Sequence, residues 1–128
     1  MIKSSCSLHK RPEICYNTRV KDLITYDDFA RLDFRVGYVK KCVRKEGADR
    51  LLRLTVDFGE EGERNILSSL YPLYEPEDLQ GKKFIFVLNL EPRKFLGEES
   101  QGMILCADGE KPIPLTTSSD SSAGAAIK

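Results

Sequence analysis

The chain has 128 residues, of which 41% are hydrophobic and 31% charged, and its formal net charge at pH 7 is zero. These values predict one soluble globular domain with tails, large enough to fold without disulfide or metal staples. No run approaches the roughly 18 apolar residues of a membrane-spanning helix, which excludes a membrane protein of the helical type.

Charge is unevenly distributed along the sequence. Residues 31–53 carry eight cations and three anions, a balance of +5, whereas residues 54–80 carry one cation and seven anions, a balance of −6. A protein that is neutral overall can still bind a polyanion through one basic face. A mixed-charge surface without any such ligand is equally compatible with these numbers.

The cysteines and the single histidine limit the possible chemistry. Cys6, Cys15, Cys42 and Cys106 show no CxxC spacing, which is typical of free thiols in a reducing cytosol. His9 lies in the N-terminal tail, so histidine-based hydrolytic or metal sites are not expected. We therefore expect no metal, no cofactor and a cytoplasmic location.

Residues 1–23 lack hydrophobic periodicity and contain five cations and two anions. They predict a flexible N-terminal extension, either a basic arm that helps to hold nucleic acid or a linker. Residues 24–128 predict the folded domain.

A short helix is predicted from Ile24 to Leu32. Thr25 suits its N-cap, and Asp28 stands three residues later, where it completes a capping box. Phe29 and Leu32 are three residues apart, so both are expected to face the core.

Five strands are predicted in the rest of the chain, because short runs rich in branched or aromatic residues are bounded by turn residues. They are Phe34 to Arg44, Leu51 to Phe58, Glu63 to Leu67, Phe84 to Leu88 and Met103 to Ala107. Gly37 inside the first strand predicts a bulge or sharp bend.

Smaller elements complete this prediction. A short helix around Pro76 is expected between the third and fourth strands, because proline suits a first helical turn. Ile113 to Leu115 and Ala126 to Ile127 predict short extra strands near the C-terminus. The order predicts an all-β, five-stranded OB-fold barrel, whose strands and loops bind oligonucleotides or oligosaccharides. An SH3-like barrel and an open sandwich are the competing folds.

The segment from Asn89 to Met103 connects the last two predicted strands. Long ordered loops tend to carry function, and this one holds two cations, Arg93 and Lys94, beside amide and hydroxyl side chains such as Ser100. This inventory favours a polyanion with phosphate and hydroxyl groups. An ordinary hairpin loop with solvated charges is the simpler alternative.

These residues carry a resemblance to a known family. The chain resembles the tRNA-binding domain found at the C-terminus of many methionyl-tRNA synthetases and as free-standing small tRNA-binding proteins. The resemblance covers about Ile24 to Lys128. Its motifs are Leu32-Asp-Phe-Arg-Val-Gly37, Ala48-Asp-Arg-Leu51, Val56-Asp-Phe-Gly59 and Asn89-Leu-Glu-Pro-Arg-Lys-Phe-Leu-Gly97, which continues into Ser100-Gln-Gly-Met-Ile-Leu105.

The chain departs from the family at several positions. Lys45 and Glu46 stand where the family usually has His-Pro, and Ser69 replaces a usual glycine. Glu91 stands where lysine is common, which removes one cation from the long loop. Residues 1–23 match nothing in the family.

The resemblance implies a non-catalytic module that binds tRNA by shape and lends affinity to methionyl-tRNA synthetase, as an auxiliary domain or a beta-type subunit. Such relatives form homodimers, and the segment from Ile113 to Lys128 is our candidate for the contact. The residues expected to contact tRNA are Arg35, Asn89, Arg93, Lys94, Ser100 and Met103. The cations would meet phosphates, Asn89 and Ser100 would hydrogen-bond to sugar, phosphate or base, and Met103 would pack against ribose or base.

Other functions remain open from the sequence. An OB module that binds single-stranded nucleic acid or protein, with a chaperone-like or signalling role, is the main alternative. An enzyme is disfavoured, because a Ser100–Lys94 pair has no identifiable oxyanion hole or substrate pocket. No catalytic motif of a synthetase is present in the chain.

Overall fold

A computed structural model describes residues 20–128, which fall into two compact units, one ending at Arg31 and one from Leu32 to Lys128. In the first unit, helix α1 spans Tyr26–Ala30 and has the predicted capping box between Thr25 and Asp28. This single turn buries no residue, Phe29 is only half-buried, and Leu32, which follows the helix, is 41% exposed. The prediction that Leu32 faces the core is therefore wrong.

The second unit is built on four longer strands and one short one. The longer strands are β1 Phe34–Arg44, β2 Leu52–Asp57, β3 Glu63–Ser68 and β4 Lys83–Val87. In the sheet they are antiparallel and follow the order β3-β2-β1-β4-β7, where β7 is Met103–Ile104. This nearly closed sheet of five antiparallel strands has the predicted OB-like barrel architecture.

Strand β1 is long enough to serve two neighbours. Its first half pairs with β4, from Phe34 opposite Val87 to Tyr38 opposite Lys83, while its second half pairs with β2. The register against β2 shifts between Val39 and Lys41. The predicted irregularity of this strand is present, but it lies three residues beyond Gly37.

Gly37 has a different reason to be glycine. A Cβ atom at this position would lie 2.5 Å from both Phe58 Cε1 and Val56 Cγ1, and 2.8 Å from Phe86 Cδ1. Such distances are below van der Waals contact, so the inner face of β1 accepts no side chain here. The space is filled by the rings of Phe58 and Phe86, which meet edge to face with centroids 5.4 Å apart.

The alternation read from β2 places its apolar residues in the barrel core. Leu52, Leu54, Val56 and Phe58 are each fully buried. They pack with a cluster that also contains Ile66 of β3 and side chains of β1, β4 and β7.

Short helical turns join the strands. A 3₁₀ turn at Gly59–Glu61 connects β2 to β3, and helix α2 spans Pro76–Leu79, with Pro76 in its first turn as predicted. Leu79 is buried beneath the barrel strands and fixes this helix.

The C-terminal third contains the remaining short strands. β5 is Arg93–Phe95, β6 is Glu98–Ser100, β8 is Cys106–Ala107, β9 is Ile113–Pro114 and β10 is Ala126–Ile127. β8 pairs with β9, and β10 pairs with the start of β1. The two extra C-terminal strands are therefore confirmed, and the predicted fifth strand is divided into β7 and β8.

Candidate nucleic-acid interface

The segment expected to be a loop forms a hairpin of its own. Residues of β5 and β6 pair antiparallel, with Arg93 opposite Ser100 and Phe95 opposite Glu98. A two-residue turn, Leu96 and Gly97, joins them, with φ values of 51° and 83°. We call Arg93 to Ser100 the β5–β6 hairpin. Its regular pairing means that its side chains are presented on an ordered frame.

Ser100 joins this hairpin to the barrel. Its side chain is buried, its Oγ accepts a hydrogen bond from the Leu67 N–H of β3 at 2.9 Å, and the same hydroxyl donates to the Gly102 carbonyl at 3.0 Å. Both capacities of the hydroxyl are thus used within the chain. At this position Ser100 supports the hairpin.

Gln101 extends the same attachment. Its side-chain Oε1 accepts from the Asn65 backbone N–H, and its own N–H donates to the Asn65 carbonyl, each at 2.9 Å. Nearby, Arg64 Nη1 donates to the Leu88 carbonyl at 2.8 Å and to the Gln101 carbonyl at 3.1 Å. Arg64 therefore binds the chain on both sides of the hairpin and holds its two ends together.

Glu98 is the most heavily bonded carboxylate of the hairpin. It accepts from Lys45 Nζ at 2.8 Å, from Arg53 Nε and Nη2 at 2.7 and 2.8 Å, and from Asn65 Nδ2 at 2.9 Å. These hydrogen bonds, led by that from Arg53, hold the pKa of Glu98 well below its usual range. The carboxylate therefore stays ionised at neutral pH, and β6 is tied to cations on the neighbouring segments.

Arg93 and Lys94 remain available to a ligand. Both side chains are exposed, and neither has an ion pair within the part of the chain that the structure describes. The Arg93 guanidinium lies 5.2 Å from the centroid of the half-buried Phe95 ring, which restricts its orientation. Other cations of the described chain do have acidic partners, among them Arg35, Lys40, Lys45, Arg53 and Lys83.

Arg35 occupies a different environment. Its Nε lies 2.7 Å from Asp33 Oδ1, and its Nη1 donates to the Gly124 carbonyl at 3.1 Å. The hydrogen bond that Arg35 donates to the Asp33 carboxylate raises the pKa of Arg35, so its guanidinium stays charged and is partly neutralised by Asp33. With a side chain 26% exposed, Arg35 binds the C-terminal segment to β1 and keeps only part of its surface for a ligand.

Asn89 and Met103 flank the hairpin. The Asn89 Oδ1 accepts from the Asp33 N–H at 2.8 Å, which fixes the chain where it leaves β4. Met103, opposite Val87 in the sheet, is 45% exposed and keeps an apolar surface in water. The segment from Asn89 to Met103 thus exposes Asn89, Arg93, Lys94 and Met103 and buries Ser100.

Sequence reasoning missed two features of this segment. The first is the group of Lys45, Arg53 and Asn65 around Glu98, which lies at separations of 33 to 53 residues and leaves no local pattern. The second is Leu96, whose signal was present: an apolar residue directly before glycine in a two-residue turn.

Residues 20–128 contain no group of three or more His, Cys, Asp or Glu side chains able to hold a metal ion. Cys42 and Cys106 are free, and burial raises the pKa of the Cys42 thiol to about 11. The same range contains no helix with the length and hydropathy to span a membrane. Cys6, Cys15 and His9 lie outside the described residues.

Known proteins match most of this chain. The sequence pattern of the family described as "Putative tRNA binding domain" matches residues 34–126. The methionine–tRNA ligase of Oceanobacillus iheyensis is 51% identical over 86 residues, a match that spans 66% of this chain and 13% of that enzyme. The chain therefore corresponds to a small part of such relatives.

Solved structures also share the fold, and two of those matched over their full length illustrate it. A MetRS-related protein from Pyrococcus horikoshii superposes with a TM-score of 0.79 at 39% identity, covering 84% of this chain and 100% of that one. The chaperone CsaA of Bacillus anthracis gives a TM-score of 0.78 at 29% identity, again covering 84% and 100%.

Proposed function

We propose, on the premise that this chain belongs to the tRNA-binding domain family, that it binds tRNA through the β5–β6 hairpin. The observation that carries this proposal is the exposure of Arg93 and Lys94 on an ordered frame without acidic partners. Cations in this state can neutralise phosphates at no cost of breaking an internal ion pair. The match to a methionine–tRNA ligase supports tRNA as the ligand.

The proposed roles of the six candidate residues differ. Arg93 and Lys94 meet phosphates, and Met103 offers its exposed apolar surface to a ribose or base. Asn89, Ser100 and Arg35 hold the surrounding chain in place through the hydrogen bonds that their side chains make within the chain. Because most of these contacts are made to the phosphate–sugar backbone of the RNA, the domain recognises the shape of the tRNA and not its sequence.

The test compares charge removal at two places. The double variant Arg93→Ala/Lys94→Ala should weaken tRNA binding and lower the slope of log affinity against log salt by up to about two units, one for each lost phosphate contact. The matched control Lys82→Ala/Lys111→Ala removes the same charge from two exposed cations outside the hairpin. It should keep the parent slope. Equal binding by the hairpin variant and the parent at every salt concentration would show that the hairpin is not the site.

In the cell the chain is proposed to act as a non-catalytic auxiliary module of methionyl-tRNA synthetase in the cytoplasm. The similarity to methionine–tRNA ligase and MetRS-related proteins supports this association. The tRNA affinity measured with and without the synthetase tests it. If the synthetase leaves the tRNA affinity unchanged and the chain leaves the aminoacylation rate unchanged, the association is contradicted.

A homodimer is proposed as well, with the contact in the segment from Ile113 to Lys128. Ile113 and Leu115 in this segment are 53% and 38% exposed, which leaves apolar surface for a second copy. Light scattering at micromolar concentration measures the mass. A monomeric mass contradicts the proposal.

A second candidate function has one observation in its favour, the close structural match to a protein described as a chaperone. In that case the barrel binds unfolded protein or any single-stranded polymer. Filter binding of tRNA and of single-stranded DNA of equal length separates the two functions. Equal affinities would remove the preference for tRNA.

A further inference from the structure

Leu96 adopts a backbone conformation that leucine disfavours. It is the first residue of the two-residue turn of the β5–β6 hairpin, and its φ of 51° lies in the left-handed region, as does that of Gly97 at 83°. Two consecutive positive φ values favour Asn-Gly or Gly-Gly in such turns. A branched apolar side chain has no local hydrogen bond to compensate for the steric cost of this conformation.

The side chain of Leu96 is also poorly placed with respect to solvent. It is 68% exposed, among the most exposed large apolar side chains of the described chain, and it is absent from the hydrophobic core. Neither the backbone conformation nor the burial of Leu96 therefore favours leucine at this position. Asparagine would suit both the backbone and the solvent better, so the folded chain alone gives no reason for leucine.

The surroundings of Leu96 indicate what covers it. The strand leading into the turn carries Arg93 and Lys94, which have no ion pair. Lys94 faces Glu99 in the register of the hairpin, yet no ion pair joins the two side chains. An apolar tip two residues from unpaired cations complements a ligand with an anionic backbone and exposed apolar faces. Unpaired nucleotides have both properties, whereas duplex RNA hides its base faces.

We infer that Leu96 is an RNA-contact residue that packs against the face of an unpaired base or its ribose in bound tRNA. This inference rests on the proposed function and extends it from backbone binding to the class of nucleotide that the hairpin reads. The strain of Leu96 in the free chain is offset only in the complex, where its side chain makes this contact.

The variant Leu96→Asn tests this inference, because stability and binding should change in opposite directions. Relief of the backbone strain should raise the midpoint of thermal unfolding by about 4 °C. Loss of the apolar contact should weaken tRNA binding by about fivefold. The salt slope should stay at the parent value because no charge is removed. A duplex RNA of matched length should bind parent and variant equally.

Two controls define the result. Leu96→Met keeps an apolar side chain at the turn and should keep parent affinity. Leu73→Asn changes a different leucine, 47% exposed and outside the hairpin, and should leave tRNA binding unchanged. Unchanged tRNA affinity in Leu96→Asn, or an equal loss for tRNA and duplex, overturns the inference.

The failure of this inference is distinct from failure of the proposed function. If the Arg93→Ala/Lys94→Ala variant loses salt-dependent binding while Leu96→Asn binds as the parent does, only the contact at Leu96 is refuted. If the parent binds tRNA no more tightly than single-stranded DNA of equal length, both the proposed function and the contact at Leu96 are refuted.

Discussion

Nζ of Lys45 lies 2.8 Å from Oε1 of Glu98, although the two residues are 53 positions apart in the sequence. The Lys45 side chain is only 10% exposed and that of Glu98 only 22%. Their ion pair connects the turn after β1 to strand β6, and so attaches the candidate RNA-binding hairpin to the barrel.

Replacing Glu98 by glutamine should destabilise the protein by about 2 kcal/mol. The change leaves a nearly buried Lys45 ammonium without an opposing charge, and unpaired charges in such positions are costly. The partial exposure of Glu98 places the expected loss below that of a fully buried pair. Urea unfolding measures it, with Glu99→Gln as control because Glu99 is exposed. Glu99→Gln should change the free energy of unfolding by no more than about 0.5 kcal/mol. If Glu98→Gln changes it by no more than this control does, the ion pair contributes nothing to stability.

The same carboxylate predicts a pH dependence. The folded chain holds the pKa of Glu98 below its unfolded value of about 4.3. The stabilisation is therefore fully present above that value and is lost as pH falls below it, because the unfolded chain then binds a proton that the folded chain does not. The stability difference between the parent and Glu98→Gln should shrink between about pH 5 and pH 3. The urea midpoints of both proteins are measured across this pH range. A difference that stays constant with pH contradicts the prediction.

Gly37→Ala should destabilise the protein by about 2 kcal/mol or more. The new Cβ would lie 2.5 Å from Phe58 Cε1 and from Val56 Cγ1, and both side chains are fully buried. A packed core cannot move aside without strain. Gly109→Ala is the matched control, because a Cβ there meets nothing within 4 Å. It should be neutral or slightly stabilising. Thermal unfolding of both variants decides the comparison, and equal midpoints would contradict the packing argument.

These residues also show how far the sequence predicts the fold. The alternation of Leu52, Leu54 and Val56 predicted β2 correctly, because a strand with one buried face repeats every two residues. The end of α1 was less predictable, because a single helical turn contains too few residues for its apolar positions to indicate which face is buried. Gly37 marked a special position, but the cause was close packing of rings from β4 and the end of β2, which no local pattern contains.

The candidate site was predictable only in part. The composition of the long segment indicated a polyanion site, and Arg93 and Lys94 are exposed there. Its folding into β5 and β6 was not expected, because each strand has only three residues and β6 is held by side-chain bonds to residues distant in the sequence. The bonds made by Asn89 and Ser100 depend on Asp33, just before β1, and on Leu67 of β3, so their supporting positions become visible only in the folded chain.

The variant Ser100→Ala separates support of the hairpin from contact with RNA. Removing the hydroxyl leaves the buried Leu67 N–H without its acceptor, and an unsatisfied buried donor costs about 1–3 kcal/mol. The urea midpoint of unfolding should therefore fall. The tRNA affinity, measured well below the unfolding temperature, should keep the salt dependence of the parent. Ser69→Ala, at an exposed serine, should change neither quantity. A parent-like midpoint combined with weakened tRNA binding would instead assign Ser100 to direct RNA contact, as the sequence motif alone had suggested.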